Sequence, residues 1–551
     1  MPVASRPSET SPRPAGTRGV EPARPGAPAG LRLARAWRAA VAGVALAVCA
    51  LPLQPTQAQV RLPAMGEGVS ASMPLGEERR LGDQIWLEVL RDPSWLDDPV
   101  LDDYLQRLWS PLLASAQRRG EIGEDMRQQF AWTAFMLRDR SINAFALPGG
   151  YVGVHLGLIA GTAVPDELVS VLAHELSHVT QRHIARSFES AGRQTALGMA
   201  AIVLGMIAAS RSGNADVAQA AIAGGQAAMI QGQLNFSRDM EREADRIGHL
   251  LMVDAGFSAA GMAAMFDKLE TANRLNDTGN FPYLRSHPLT IERIAEAQAR
   301  AGVGGTARLR ANDEHELMRA RARVLMEPSV PALRGHLEAL QQLPRVRVAP
   351  LGTAYAAALS AVLLKDAPAA QTALERLREA AAPASRAAPG VGVSRWVELL
   401  QLEAALALQL AAAGDAGAAW GSASEWRRPE LLLRGRVVLS RAGAADPALR
   451  DLHQALRTWV VRHPADGAAW QMLADCEEAR GNRLGMLRAT AEANLAAGKV
   501  DAAIVTLQAA RSQGTRSRDA DGVELAIIDS RLAELRRQRM RNAGERGVRT
   551  D

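Results

Sequence analysis

The chain has 551 residues, of which 48% are hydrophobic, and a formal net charge of +5. This length is more than one hydrophobic core supports, and the composition excludes general disorder, so we expect two or three folded domains. Residues 1–58 hold seven arginines against two glutamates, a net +5 that equals the charge of the whole chain. The remaining residues therefore sum to zero, and we predict no nucleic-acid partner.

Residues 1–58 are predicted to be a leader and signal peptide. RLARAWR supplies positive charge, AAVAGVALAVCAL is apolar, and TQAQ offers a small residue before a cut after Ala58. The apolar run is shorter than the roughly 20 residues of a membrane span. We therefore expect an exported protein of the Gram-negative periplasm that begins near Gln59. A lipoprotein anchored at Cys49 is the alternative.

The first strand-like stretch is NAFALPGGYVGVHLGLI. Its PGG predicts a turn, and YVGVH places apolar residues around Gly153 as a β-strand does. On these residues alone, two interpretations stay open. The strand is either an ordinary interior strand, or an exposed sheet edge to which an extended substrate adds through main-chain hydrogen bonds.

The segment DELVSVLAHELSHVTQRH predicts a helix with a metal site. Apolar residues recur in it at helical spacing after a Pro–Asp start. Positions i and i+4 share one helix face, so His174 and His178 can present two imidazoles to one ion. Glu175 can then reach the water on that ion and take its proton. The alternative is a chance HExxH on an amphipathic helix.

The third ligand is expected from a second amphipathic helix, FSRDMEREADRIGHLLM. Glu241 would ligate the metal, and Asp245, one turn later, would accept the free ring N–H of a ligand histidine. Glu243 is rotated away and is predicted to be a solvated charge. His183 could rival Glu241 as a ligand, but we assign it a structural role.

Between these two helices lies an apolar segment, residues 194–230. Its runs TALGMAAIVLGMIAAS and ADVAQAAIAGGQAAMI are both marginal for crossing a membrane. We predict a helical hairpin that covers the site or makes peripheral contact with a membrane surface. Burial in the core is the alternative.

From residue 304 onward, Ala, Leu and Arg recur at helical spacing without a strand pattern. WQMLADCEEARGN and AAGKVDAAIVTLQAA place large, small and turn residues as tetratricopeptide (TPR) helix pairs do. We therefore predict a metallopeptidase domain at 59–303 and a TPR-like helical repeat domain at 304–551. An irregular helical bundle is the alternative for the second domain.

Four motifs together resemble the HtpX and CAAX-prenyl-protease family of zinc endopeptidases (peptidase family M48): NAFALPGGYVGVHLGLI, HELSHVTQRH, EREADRIG and SHPLTIERI. With an export signal and helical repeats, the chain resembles specifically the periplasmic branch that acts in outer-membrane β-barrel assembly. The resemblance implies a gluzincin-type domain with one Zn²⁺ per chain, held by His174, His178 and Glu241, and Glu175 as the base.

The resemblance also assigns residues around the metal. His287 would lie close to it, filling the fourth zinc position at rest or stabilising the oxyanion, with Tyr283 a weaker oxyanion candidate. Arg293 would lie near the site. The resemblance favours the exposed-edge interpretation of YVGVH, so that the substrate strand is formed by Tyr151, Val152, Gly153 and Val154.

The predicted fold class is mainly α: a gluzincin-type metallopeptidase domain with a small β-sheet, followed by a TPR-like α-helical solenoid. The predicted function is a zinc endopeptidase of the cell envelope. Its implied substrates are unfolded or misassembled outer-membrane proteins, and its repeats would bind the outer-membrane assembly machinery. The alternative is an envelope chaperone or scaffold that acts through the repeats and has a largely latent metal site.

Overall fold

A computed structural model describes residues 73–191, 238–275, 282–303, 309, 311–344, 348–387, 392–409, 425–441, 446–515 and 522–547. The predicted leader and the predicted hairpin at 194–230 lie outside these ranges. The described residues are mainly helical with one small sheet, which confirms the predicted fold class. Among them, no helix has both the length and the apolar character needed to cross a membrane.

The elements up to Val303 surround the HExxH segment. They are α1 (Leu75–Val89), β1 (Trp95–Leu96), α2 (Pro99–Arg118), α3 (Glu124–Gln129), β2 (Thr133–Leu137), β3 (Ala144–Leu147), β4 (Tyr151–His155), α4 (Leu156–Gly161), α5 (Pro165–Thr180), α6 (His183–Ala191), α7 (Arg238–Asp254), α8 (Ala260–Leu275), α9 (Pro282–Ser286) and α10 (Ile291–Val303).

The elements after residue 311 are helices. They are α11 (Asp313–Met326), α12 (Val330–Gln341), α13 (Leu351–Leu364), α14 (Ala367–Ala387), α15 (Val393–Ala407), α16 (Arg428–Arg441), α17 (Pro447–Arg462), α18 (Gly467–Ala479), α19 (Arg483–Ala496), α20 (Val500–Gly514) and α21 (Gly522–Gly547).

The sheet has the strand order β1-β2-β4-β3 and is mixed. Strand β4 pairs parallel with β2 and antiparallel with β3, and β1 pairs antiparallel with β2. The predicted turn is present, because Gly149 and Gly150 adopt φ of 75° and 90° between β3 and β4. Gly153 is required in β4, since a Cβ there would lie 2.4 Å from the ring of Phe145.

The prediction that Tyr151, Val152, Gly153 and Val154 form an exposed edge is wrong. They belong to β4, which is hydrogen-bonded on both sides and is buried at every position. A run of apolar residues buried on both faces is typical of an interior strand. In the described part of the chain, the edge nearest the HExxH helix is formed by β3, whose residues precede the turn.

The helices α18, α19 and α20 near the carboxyl end pack consecutively against one another. Gly481 and Gly498 adopt φ of 76° and 71° at the ends of α18 and α19. Leu473 of α18 and Leu507 of α20 are buried in two successive hydrophobic clusters. These helices are therefore consistent with TPR-like packing.

One hydrophobic core extends from the sheet and α2 into the helices after residue 312. It includes Trp109 of α2, Leu172 of α5, Leu317 of α11 and Trp396 of α15. A buried hydrogen bond of 2.6 Å between Tyr104 and His315 crosses the same region. The helices that follow residue 312 thus complete the packing of α2. The boundary near residue 304 stays a prediction about folding units.

Candidate metal centre

The helix α5 contains His174, Glu175 and His178 and is buried among the other elements of the domain. It begins at Pro165, as predicted, and every residue from Glu167 to Thr180 is buried. Its neighbours are α2, α7, α8 and strand β3. Because α5 is covered on all sides, His174 and His178 lie in a site from which bulk water is largely excluded.

His174, His178, Glu241 and His287 bring one ligand atom each within 4.8 Å of the others. The Nε2 atoms of His174 and His178 are 2.9 Å apart, and the Glu241 carboxylate lies 3.5 and 3.4 Å from them. Nδ1 of His287 is 3.3 Å from Nε2 of His174 and 3.0 Å from Glu241. Ligands held tetrahedrally at about 2.0–2.1 Å are about 3.3 Å apart, so the cluster has the size of a zinc site.

The hydrogen bonds around the cluster orient the ring nitrogens and carboxylate oxygens of its residues toward one another. Nδ1 of His174 is 2.9 Å from Asp245, to which it donates, so Nε2 points at Glu241 and offers a lone pair to a metal once it has lost its proton. Burial alone would lower the pKa of His174, but the hydrogen bonds to Asp245 and Glu241 outweigh it and raise the pKa to about 9. The cluster therefore attracts positive charge, and metal binding must compete with protons.

Arg293 of α10 fixes the two carboxylates on α7. Its guanidinium donates to both oxygens of Asp245, at 2.6 and 2.8 Å, and lies 2.8 Å from Glu241. It also donates to the carbonyl of Pro288, next to His287. Burial alone would raise the pKa of Asp245, but the bonds to Arg293 and His174 hold it below its usual range. Arg293 therefore keeps Asp245 charged and ties the loop of His287 to α7.

Glu175 lies beside the four-residue cluster but is not part of it. It is fully buried, and its carboxylate lies beside the backbone of Ala146 with no side-chain hydrogen-bond partner among the described residues. Nε2 of His287 is 3.5 Å from its Oε1. Burial raises the pKa of Glu175, while His287, His174 and the backbone of Ala146 on β3 oppose that shift. A carboxylate buried in this way fits a base that acts on a water at the metal.

Three further residues take positions around the cluster. Tyr283 is buried and stacks on His287, with ring centroids 4.6 Å apart. His183 lies outside the four-residue cluster, as predicted. The prediction that Glu243 is a solvated charge is wrong: its side chain is only 10% exposed, and it contacts His183 and Arg186. Helical spacing correctly places Glu243 on a different face of α7 from Glu241, but this face packs against α6 and is not exposed to solvent.

Comparison with known proteins agrees with this geometry. Residues 100–301 match Peptidase family M48. The putative beta-barrel assembly-enhancing protease of Vibrio cholerae is 37% identical over 280 residues, which cover 50% of this chain and 55% of that protein. The beta-barrel assembly-enhancing protease of Escherichia coli K12 is 28% identical over 476 residues, 86% of this chain and 91% of that protein.

A more distant relative matches a shorter part of the chain. It is the mitochondrial metalloendopeptidase OMA1 of Arabidopsis thaliana, 26% identical over 202 residues, or 36% of this chain and 37% of that protein. The match to the family profile ends at residue 301 and includes α5, α7 and His287. Residues 100–301 therefore match a peptidase family M48 domain, and this matched segment contains all four residues of the metal cluster.

Proposed function

We propose that the protein is a zinc endopeptidase of the cell envelope. The observation that carries the proposal is the buried cluster of His174, His178, Glu241 and His287, with the buried carboxylate of Glu175 beside it. In this proposal one zinc ion per chain is held by His174, His178 and Glu241. When bound, zinc polarises a peptide carbonyl and lowers the pKa of its water to about 7.

Glu175 has the position and environment of a general base. Its raised pKa brings proton uptake closer to neutral pH than for an exposed glutamate. In the proposed reaction Glu175 takes the proton of the attacking water and passes it to the leaving amine. Arg293 and Asp245 meanwhile hold Glu241 and His174 in place through the contacts described above.

His287 can act in two successive ways. Its Nδ1 lies among the proposed ligand atoms, so it would be a further ligand of a bound zinc ion while no substrate is present. A bound peptide would take the place of this imidazole, and the role proposed for the displaced ring is to donate its N–H to the negative charge that develops on the carbonyl oxygen. Tyr283 stacks on the ring and limits how far it moves.

Strand β3 replaces β4 as the candidate for the substrate edge. It forms one edge of the described sheet, and its Ala146 backbone lies next to Glu175. An extended peptide added to β3 through main-chain hydrogen bonds would pass over the metal cluster. Such binding depends on an unfolded, extended conformation more than on side chains.

We extend to this chain the role that the name of the Escherichia coli relative describes, enhancement of β-barrel assembly. In this proposal the protein resides in the periplasm, cleaves unfolded or misassembled outer-membrane proteins, and uses its helical repeats to contact the assembly machinery. The E. coli relative aligns with 86% of this chain, more than the peptidase domain alone occupies, which supports extending the proposal beyond that domain.

The test uses Glu175→Gln in the full chain. We expect it to keep stoichiometric zinc and the wild-type melting temperature, but to lose cleavage of an unfolded outer-membrane β-barrel protein, because an amide cannot take the proton. His174→Ala and Glu241→Ala should lose zinc. Wild-type turnover by Glu175→Gln would overturn the mechanism.

The same variant separates peptidase from scaffold. In a strain lacking the protein, Glu175→Gln should fail to restore the envelope and should accumulate bound, uncleaved barrel proteins. Full complementation by Glu175→Gln would instead favour an envelope chaperone or scaffold with a latent metal site.

A further inference from the structure

A chain of buried polar groups leads away from the metal cluster on the side of His178. Nδ1 of His178 is 2.9 Å from Nδ1 of His183, and Nε2 of His183 is 3.0 Å from Oε2 of Glu243. The same oxygen of Glu243 accepts a 2.8 Å bond from Arg186. Both imidazoles are completely buried. These residues come from three helices, α5, α6 and α7, and their contacts form one continuous path from His178 through His183 to Glu243.

The turn between α5 and α6 aims His183 back at His178. Arg182 stands in the left-handed region with φ of 52°, so the chain reverses immediately before His183. A non-glycine residue in this conformation needs support from its surroundings. Arg182 receives it from a buried ion pair of 3.0 Å with Glu78 and from a hydrogen bond to the carbonyl of Met73. The contact between the two imidazoles is therefore built into the fold.

The positions of the protons follow from the contacts. A neutral imidazole that ligates a metal through Nε2 keeps its proton on Nδ1 and must donate it. The Nδ1 atom of His178 faces Nδ1 of His183, which must then carry a lone pair to accept that proton. The proton of His183 is consequently on Nε2, where it donates to Glu243. This arrangement places one proton in each of the two short contacts.

We propose that His183 and Glu243 are positioning residues for the metal ligand His178, fixing its tautomer and ring orientation through the hydrogen-bond relay Glu243–His183–His178. The relay rests on the proposed role of His178 as a zinc ligand. His174 receives the equivalent support directly from the carboxylate of Asp245. The two histidines of one HExxH helix thus differ in their support: one carboxylate acts directly, and the other acts through a second imidazole.

The decisive variants are His183→Leu and His183→Gln. Leucine fills a similar volume but neither accepts nor donates a hydrogen bond. Glutamine can accept from His178 with its carbonyl and donate to Glu243 with its amide. Loss of such a supporting partner weakens metal binding about 10–100-fold. We expect His183→Leu to weaken zinc affinity by that factor and His183→Gln to remain within about threefold of wild type.

Zinc alone is the probe, and its dissociation constant is measured by competition with a chromophoric chelator, beside the melting temperature of the metal-free protein. His336→Leu on α12 is the control, since that histidine lies outside the metal cluster and the relay. Wild-type zinc affinity for His183→Leu would overturn the proposal. Equal losses of affinity for the Leu and Gln variants would also overturn it, by showing a packing role.

A measurement on the unmodified protein covers the case in which His183→Leu does not fold. With ¹⁵N-labelled histidines, a long-range ¹⁵N–¹H spectrum of the zinc-bound protein reports which ring nitrogen carries the proton in each of the ten histidines. We expect His178 protonated at Nδ1 and His183 at Nε2. A proton on Nδ1 of His183 would refute the relay.

His178→Ala separates failure of the relay from failure of the proposed function. It should lose zinc if the ligand set is correct. Zinc retained by His178→Ala would overturn the ligand set and the relay with it. If His178→Ala loses zinc and His183→Leu does not, the zinc peptidase stands and only the relay fails.

Discussion

Gly248 of α7 sits where that helix touches the backbone of the metal-binding helix. A Cβ at this position would lie 3.1 Å from the carbonyl carbon and oxygen of Ala173 and from the amide nitrogen of His174. These are backbone atoms, which cannot rotate aside as the end of a side chain can. Gly248→Ala must therefore push α7 and α5 apart by a few tenths of an ångström.

The expected size of the effect follows from two opposing terms. Replacing glycine by alanine inside a helix normally stabilises by about 1 kcal/mol. Overpacking a tight contact costs about 1–3 kcal/mol, so the net change in unfolding free energy should be a loss of about 0–2 kcal/mol. The effect on the metal should be clearer, because α7 carries Glu241 while α5 carries His174, and metal–ligand distances tolerate only about 0.2 Å. We expect zinc affinity to fall about tenfold, or about 1.4 kcal/mol.

The assay is a zinc competition titration together with a thermal melt of the full chain. Gly335→Ala is the matched control, because Gly335 lies in α12 and a Cβ there would have nothing within 4 Å. This control should gain stability without changing zinc affinity. If Gly248→Ala resembled it, with a higher melting temperature and unchanged zinc affinity, the close packing of α7 on α5 would be refuted.

Three other predictions address the rest of the molecule. Burial lowers the pKa of His315 to about 4, so the unfolded chain takes up the proton at a higher pH than the folded chain does. Up to about 3 kcal/mol of stability should therefore be lost as the pH falls from about 6.5 to 4. His315→Gln should make the melting temperature less dependent on pH over that range, and an unchanged dependence would contradict the assignment. Arg321 is buried between Asp98 and Glu403. Arg321→Met should therefore lower the free energy of unfolding, measured by denaturant titration, by about 3–5 kcal/mol. A loss near zero would show that the two carboxylates are not buried with the arginine. His287→Ala should retain zinc through the three other ligands yet change the rate of cleavage of an unfolded barrel protein, and a wild-type rate would exclude both roles proposed for His287.

The metal cluster could be predicted because its determinants are local. The spacing of His174 and His178 on one helix fixes their relative positions, and the same logic links Glu241 to Asp245 one turn later. The docking of the second helix on the first, and the approach of His287 to both, could not be read from local spacing. Gly248 marks that docking, but a single glycine within an amphipathic helix does not reveal which neighbour it approaches.

The exposed edge of the sheet could not be predicted because it depends on strand order. YVGVH has the same apolar character whether it lies at the edge or in the interior of a sheet. Its second neighbour is β2, residues 133–137, whose letters TAFML carry no strong strand signal. Parallel pairing between segments 18 residues apart is a tertiary event, as the register of Thr133 with Tyr151 shows. The local pattern located the strand and left its place in the sheet open, and the family resemblance then favoured the wrong place.

Acidic residues at the start of α2 form ion pairs with arginines that follow residue 312. The contribution of the helices after residue 312 should therefore be tested by point variants and not by truncation. Asp98, Asp103 and Asp97 pair with Arg321, Arg395 and Arg428, at 2.7, 2.8 and 2.7 Å, and all three arginines follow residue 312. Asp98 and Asp103 are buried, and a chain ended near residue 312 would lose the arginines that neutralise them. Because α2 also packs on α5, such a truncation would disturb the metal helix itself. Loss of zinc or activity in a truncated chain would then report on α2, and only substitutions on the exposed faces of α16–α21 can show whether the repeats deliver substrate.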